Sequence, residues 1–476
     1  MIRIFDQNKT NLILIFVILP LAFMAVPVMA AQDLDTRDVE ISFAVTEQLM
    51  DDPGVSGFNV DTETENGVVT LTGKVNNILA KNRAERLAAT VKGVRGVINR
   101  IEILESGRAD DEIEEDIVSA LAEDPATESW EIDVSVNGGT AILTGEVDSW
   151  HESRLASKIA QGVRGVREVT NSLHTNYGEI RPDNEIEKEI VQVLRWDALV
   201  DDELIDVQVD SGEVSLTGTV GSLAEKNLAY TDSWVNGVRE VDNQLEVESW
   251  ARDSRFRKTK YVEKSDSEIK RAVLASFIYD PRVSPFDIAA EVNEGIVRLS
   301  GTVNSIKAKR AAARDARNTV GVWRVDNQIS VRSNVPSDDT IENRIASALL
   351  RDPYVSRFEI DVTAENQIVY LRGSVDTHFE KARADNVAGS VEGVVKVKNS
   401  LAVDNNLEPL TYDRYADDNW SIKDYDWYMN PDIYSTIKSD WEIRDDISDE
   451  LYWSPFVDEE EIDVTVVNGV ATLTGT

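Results

Sequence analysis

The residues first weighed for chemistry in this 476-residue chain are three histidines, His151, His174 and His378, with no cysteine beside them. Without thiols, disulfides, thiolate metal sites and cysteine nucleophiles are excluded. The histidines share no register and none has a neighbouring Ser–Asp pattern, so no hydrolytic triad is assembled. Asp61-x-Glu63-x-Glu65-x-Gly67 resembles a calcium loop, but its Gly and last Glu miss the register of one. The same alternation describes a solvent-facing strand that enters a hairpin. Gly93-Val94-Arg95-Gly96 lacks the strand-to-helix setting of a phosphate loop and reads as a turn. The expectation is a protein that is not an enzyme, with no catalytic residue, metal site, cofactor or small-molecule substrate.

Two segments carry binding chemistry instead. Lys307, Arg310, Arg314 and Arg317 are spaced three, four and three, which gathers them within roughly an 80° arc of a helix. Ala308, Ala312, Ala316 and Val320 lie opposite, so the basic stripe is expected to face solvent. The linker Ser249–Ser265 adds Arg255, Arg257, Lys258 and Lys260, beside Trp250, Phe256 and Tyr261. Together they could dock anionic lipid headgroups or an anionic glycan. The stripe could equally be a solvated face, or pair with the acidic stretch 183–248, where four basic residues stand against seventeen acidic ones. Residues 405–439 hold Tyr412, Tyr415, Trp420, Trp427 and Tyr428, a candidate protein-contact surface. The alternative is a loop that packs its rings back over adjacent domains. A formal charge of −38 argues against nucleic acid as a partner.

The elements that must position these residues are written six times. Asp38-Val39-Glu40-Ile41 recurs at Asp110, Asp183, Asp266, Asp338 and Asp440. Thirty-five residues after each comes Gly73, Gly145, Gly218, Gly301, Gly373 or Gly475. The leading Asp suits a helix N-cap, and Ile113, Ile117 and Leu121 give the helical spacing that follows it. Asp52-Pro53, Asp124-Pro125, Asp280-Pro281 and Asp352-Pro353 end that helix. Alternation at Ile132, Val134 and Val136 predicts a strand, and Gly67, Gly139, Gly212, Gly295 and Gly469 a hairpin turn, with Gln367 in the fifth copy. A return strand such as Val69-Thr70-Leu71-Thr72-Gly73 precedes a second helix with Ala at one register, Ala84, Ala156, Ala229, Ala312 and Ala384. Gly-Val-x-x-Val-x-Asn closes the unit, as in Gly93 to Asn99. The fold class is therefore α+β, a tandem array of small α-β-β-α-β sandwiches, each a three-stranded mixed sheet with two helices on one face. Units this small are marginal alone, so neighbours should support one another.

The order Asp-x-x-Ile, Val-x-Leu-x-Gly, Gly-Val-x-x-Val-x-Asn resembles the BON domain, the bacterial OsmY-and-nodulation family, over nearly all of the chain after its first thirty residues. The resemblance implies a non-enzymatic periplasmic module linked to phospholipid contact, envelope integrity and protection from osmotic shock. It brings no catalytic residue, and no lipid-contacting residue is transferred from it. The implied partner is an envelope phospholipid or an envelope protein.

Residues 1–30 read as a secretory signal peptide: Arg3 and Lys9, an apolar run from Leu12 to Val28, then small residues before a cut after Ala30. The expected domains are 38–104, 110–175, 183–248, 266–332, 338–404 and 440–476. The basic linker 249–265 and the acidic aromatic insertion 405–439 separate some of them. The last domain stops at Thr476, before its second helix, so the sequence is expected to be a fragment.

Overall fold

The structure is a computed structural model. It describes residues 26–55, 57–127, 131–177, 181–252, 260, 262–284, 286–332, 336–355, 360–403, 440–454, 462–467 and 470–475. Most of the expected signal peptide, linker residues Arg255, Arg257 and Lys258, and the whole aromatic insertion lie outside the described residues.

The first unit shows the plan. Helix α1 (Val26–Asp51) leads by a short 3-10 turn (Gly57–Asn59) into the hairpin β1 (Val60–Glu65) and β2 (Val68–Val75). Helix α2 (Ile78–Ala89) then crosses over to β3 (Gly96–Asn99), with β4 (Glu102–Ile103) just beyond. β1 runs antiparallel to β2, while β3 and β4 both pair with β2 in parallel. The sheet is thus mixed, with β2 at its centre. Ile41, Val45 and Leu49 of α1 and Ala80, Ala84 and Ala88 of α2 close over Val69 and Leu71. At about 25 cal/mol per Å² of apolar surface, this helix-on-sheet layer is the main source of stability.

Four more units repeat it. The second has α3 (Asp110–Glu123), β5 (Ile132–Asn137), β6 (Thr140–Val147), α4 (Trp150–Gln161) and β7 (Glu168–Thr175). The third has α5 (Asp183–Trp196), β8 (Ile205–Asp210), β9 (Glu213–Val220), α6 (Leu223–Asp232), β10 (Glu240–Asn243) and β11 (Glu246–Val247). The fourth has α7 (Asp266–Ser276), β12 (Ile288–Asn293), β13 (Ile296–Val303), α8 (Ile306–Arg317), β14 (Arg324–Asn327) and β15 (Ser330–Val331). The fifth has α9 (Asp338–Arg351), β16 (Ile360–Glu365), β17 (Ile368–Val375), α10 (His378–Ser390), β18 (Lys396–Asn399) and β19 (Ala402–Val403). In the sixth, α11 (Asp440–Trp453) precedes the hairpin β20 (Ile462–Val467) and β21 (Val470–Gly475).

The structure corrects the role expected of the leading Asp. The N-caps are the residues before it, Ala109, Pro182, Ser265 and Ser337. The Asp carboxylate reaches instead across the unit to the hairpin turn and accepts two backbone N–H bonds. Asp38 takes those of Asn66 and Gly67 at 2.7 and 2.9 Å, and Asp110 those of Gly138 and Gly139 at 2.8 and 2.9 Å. Asp183, Asp266 and Asp338 do the same to Ser211–Gly212, Glu294–Gly295 and Asn366–Gln367. Two charge-assisted bonds, each contributing about 1.5–3 kcal/mol, fasten the first helix to the turn. They hold even Gln367 at φ +64°, where the other turns described have Gly.

The return-strand glycine is required for a different reason. A Cβ on Gly145 would lie 1.9 Å from the Glu131 carbonyl oxygen, and one on Gly73 2.0 Å from that of Asn59. The closing Asn ties the third strand to the second helix. Asn99 Oδ1 accepts from Ile101 N at 3.2 Å while its Nδ2 donates to the Lys81 carbonyl at 3.0 Å. Ile101 beyond it is buried in the core, and β3 and β4 stand where one strand is expected; among the described residues β7 alone is unbroken, although Asn171 makes the same two bonds.

The units are joined by contacts that recur at matching positions. The N–H just before the closing Gly donates to the carbonyl at the end of another unit's first helix. Lys92 donates to Trp453 at 3.0 Å, Arg164 to Arg351 at 2.7 Å and Val320 to Trp196 at 2.9 Å. This joint pairs units 1 with 6, 2 with 5 and 4 with 3, so each unit takes part once. A second joint seats the first residue of one second helix against the next unit. Ile78 of unit 1 enters the core of unit 2, and Leu223 of unit 3 packs on that of unit 1. Trp150 of unit 2 stacks on Trp234 of unit 3 with ring centroids 4.9 Å apart. Units 1, 2 and 3 thus close a ring, and Ile306 makes the same joint from unit 4 into unit 5.

Candidate functional site

The basic stripe is set by α8. Ser305 caps it, accepting from Ala308 N at 3.1 Å, and the predicted inner residues Ala308, Ala312 and Ala316 are buried. Its outer face leaves Arg310, Arg314 and Arg317 exposed, and three of the four cations are also ion-paired. Lys307 pairs with Asp124 of unit 2. Arg310 Nη2 lies 2.6 Å from Asp385 Oδ2, and its Nη1 donates to Asn386 Oδ1 at 2.9 Å, both on α10. Arg314 Nη2 reaches Asp280 Oδ2 at 2.9 Å and Asp315 Oδ1 at 3.1 Å. The pairs of Lys307 and Arg310 cross to units 2 and 5, because a second helix that turns one face to its own sheet turns the other to neighbouring units, whereas Arg314 pairs within unit 4. Arg317 alone of the four makes no ion pair among the described residues.

Of the four linker cations singled out, Lys260 is described, and it also serves the assembly. Its ammonium donates to the carbonyls of Leu194, Arg195 and Asp197 at 2.8 to 2.9 Å and lies 3.2 Å from Asp202. A cation there complements the carbonyl end of α5. Burial lowers its pKa, against the pull of Asp202. Lys260 does pair with the acidic third unit.

Sequence reasoning missed the buried acids beside these cations. Asp197 and Asp232 are buried in unit 3, and burial raises both pKa values, with the charge of Asp197 pushing Asp232 further up. In unit 4, burial and then the charge of Asp280 raise Asp315 to about 7. Burial also pushes Asp280 upward, but the Arg282 guanidinium outweighs it and holds Asp280 below its ordinary value. The only signal was an Asp at the same second-helix position in these two copies, where the other complete copies have Leu87, Ile159 and Val387.

Aromatic side chains fill two further boundaries. Trp150, Trp234, Tyr230 and His151 cluster between units 2 and 3, and His151 Nε2 lies 3.1 Å from the Trp234 carbonyl oxygen. Burial depresses the His151 pKa to about 4, so its ring is neutral at pH 7. Tyr354 of unit 5 donates to the Gly54 carbonyl of unit 1 at 2.9 Å, and Arg83 lies 5.3 Å from the Phe379 ring centre. Burial pushes the Tyr354 hydroxyl up to about 12. The three histidines fall on α4, β7 and α10. Among the described residues, no group of three or more His, Asp and Glu could hold a metal ion. No described helix is long and apolar enough to cross a membrane.

The BON domain family model matches residues 37–105, 109–177, 182–249, 265–333, 337–405 and 439–476. A stretch of 143 residues is 29% identical to osmotically-inducible protein Y of Escherichia coli strain K12, covering 29% of this chain and 71% of that protein. Among solved structures, CdsD, a structural protein of the type III secretion system of Chlamydia trachomatis, aligns at 14% identity over 49% of this chain and 96% of its own, with a TM-score of 0.13. The C-terminal domain of CdsD aligns at the same identity and TM-score over 46% of this chain.

Proposed function

The chain belongs to the BON-domain family, and from that premise we propose that it is an exported, non-catalytic scaffold of the bacterial envelope that protects against osmotic and envelope stress. One observation carries the reading: the side chains gathered between units are spent on ion pairs, ring stacking and helix capping, which is the chemistry of assembly. The similarity to an osmotically-inducible protein supports the stress role and a periplasmic location. Domain limits follow the repeat, at 38–104, 110–175, 183–248, 266–332, 338–404 and 440–476, after a leader ending at Ala30.

The phospholipid contact belongs to this proposal. With Lys307, Arg310, Arg314 and Lys260 engaged within the array, the lipid-facing charge narrows to Arg317 with Arg255, Arg257 and Lys258 of the linker. Such contact is electrostatic and weakens with salt. Vesicle flotation tests it. The protein is expected to float with anionic vesicles at low salt, and to stop when Arg317, Arg255, Arg257 and Lys258 are changed to Glu. Flotation unaffected by those changes, or no flotation at all, overturns the lipid contact.

A second reading, assembly with an envelope protein, is favoured by exposed rings on α11, Trp441 at 61% and Tyr452 at 47% exposure, next to the insertion that carries Tyr412, Tyr415, Trp420, Trp427 and Tyr428. That complex would tolerate salt and depend on Trp420 and Trp427.

A further inference from the structure

The outer side of α1 is apolar. Val39, Phe43 and Met50 are 66%, 67% and 46% exposed, and spacings of four and seven residues hold them within about 40° of one another on the helix. The repeat does not require this stripe. The same positions hold Asp111, Glu115 and Ala122 in unit 2, and Asn184, Lys188 and Arg195 in unit 3. In unit 6 they hold Trp441, Asp445 and Tyr452 on α11, and both rings are exposed.

Units 1 and 6 are also the pair joined by the bond from Lys92 to Trp453. Trp453 packs on the core of unit 1, and the Lys92 ammonium lies 4.9 Å from the centre of the Tyr452 ring. In the matching joint of units 2 and 5, the last residues of α3 and α9, Glu123 and Arg351, form an ion pair. First helices thus meet by their ends at this kind of joint. Met50 and Tyr452, one residue short of those ends, stand on either side of the boundary between units 1 and 6. The stripe of α1 and the rings of α11 flank one joint.

A contiguous apolar patch on an exported protein marks a contact surface. Rings such as Phe43, Trp441 and Tyr452 bury about 150–250 Å² each, so with Val39, Met50 and a polar rim the patch approaches the ~800 Å² per partner of a specific interface. Its two halves occupy equal register on two repeats, the layout that a two-fold contact between identical chains uses. Exposed Arg37 and Arg444 stand beside exposed Glu40, Asp51 and Asp445 on the same helices. A rim of both signs can pair with a copy of itself, whereas its acids would be repelled by an anionic bilayer.

We propose that the outer stripe of α1, with the rings of α11, is a self-association surface that packs against the same surface of a second copy of this chain. The contact goes beyond the assembly with an envelope protein considered above, because it involves the chain alone and needs neither Trp420 nor Trp427. A dimer doubles every weak contact that one array makes, so avidity rises without any new site.

Sedimentation velocity and light scattering on the purified full chain, over a wide concentration range and at low and physiological salt, test it. The expected result is a monomer–dimer equilibrium that stops at two copies. It should tighten with salt, which screens the charge of −38 on each copy and spares the apolar contact. Phe43→Glu and Trp441→Asp introduce the residues that unit 2 carries at these positions, Glu115 and Asp111, so the fold has room for them. Both variants should unfold at the temperature of the monomeric parent chain. Each should weaken the dimer by about thirtyfold or more, since a two-fold contact loses the side chain twice. Trp323→Arg changes an exposed ring of unit 4 to the residue found in units 1 to 3, and should leave the dimer intact. A chain that stays monomeric overturns the proposal, and so does growth beyond two copies. A dimer that survives both substitutions also overturns it, and points to exposed Val467, Val470 and Leu473 of β20 and β21. Adsorption to zwitterionic vesicles that Phe43→Glu abolishes, with no dimer in solution, gives the patch to a lipid surface instead and overturns it too. None of these outcomes touches the envelope-protein reading, which stands or falls on Trp420 and Trp427.

Discussion

The clamp inside each unit and the joint between units differ in what they hold constant. Inside, the leading Asp makes the same two hydrogen bonds to the hairpin turn in all five complete copies. Between units, the backbone hydrogen bond recurs while the side chains around it change. The donor position holds Lys92, Arg164 or Val320, and the acceptor position Trp453, Arg351 or Trp196. A contact made by the backbone leaves side chains free to diverge, so each joint has been supplemented in its own way. Arg164 adds side-chain bonds to the carbonyls of Asp352 and Val355, at 2.8 and 3.0 Å. Trp196 is approached by Lys264, 6.0 Å from its ring centre. A repeated fold can thus be assembled with a fixed architecture and variable chemistry.

The comparison breaks most sharply in unit 5. Its turn has Asn366 and Gln367 at positive φ, where unit 2 has Gly138 and Gly139. Non-glycine residues in that region are strained by about 1 kcal/mol or more, so unit 5 leans harder on its clamp. Asp338→Ala is expected to destabilise unit 5 by about 4–5 kcal/mol, and Asp110→Ala to cost unit 2 about 3–4 kcal/mol. Hydrogen exchange across residues 338–403 and 110–175 measures both. Equal losses in the two units would remove the argument from the turn residues.

The joint should yield more gently. Arg164→Ala deletes two side-chain bonds across the boundary of units 2 and 5 but keeps the backbone bond, at a cost of about 1–2 kcal/mol. The expected change is faster exchange at Arg164 N–H and along the end of α9, with the interiors of both units still protected. Protection lost throughout either unit would mean that joint and interior form one cooperative body.

Much of this was legible in the sequence. The order of elements, the buried alanines of the second helices and the mixed sheet follow from periodicity and from Gly and Pro positions, which act locally. The leading Asp was misread as an N-cap because a local cap and a distant clamp select the same short carboxylate. The constant spacing from Asp38 to Gly67, repeated from Asp110 to Gly139, was the clue, since a cap needs no fixed distance to a turn. The joints left no such trace: backbone groups carry no sequence signature, and the pairs made by Lys307 and Arg310 were hidden because their partners Asp124 and Asp385 lie far away in sequence.

The smallest effect concerns a group present in unit 4 and absent from units 1, 2 and 5. Unfolded, Asp315 ionises near 3.8; folded, it keeps its proton until about 7. Between those values the folded state binds more protons, so the contribution of this group to stability is present below about pH 4 and lost as pH climbs to 7. Asp280 beside it runs the other way: its lowered pKa gives stability that is present above the ordinary carboxylate range and lost as pH falls. Asp315→Asn removes only the first slope. Near pH 7.5 the variant avoids burying a carboxylate but gives up the bond to Arg314, so the net gain is about 1 kcal/mol or less. Near pH 4.5 the native carboxyl is already protonated and the gain should vanish. Thermal unfolding of both proteins at the two pH values decides it: a gain at neutral pH that disappears in acid supports a buried, proton-holding Asp315. An equal change at both pH values would show that the carboxyl is ionised throughout and that its partner arginines, not burial, govern this boundary.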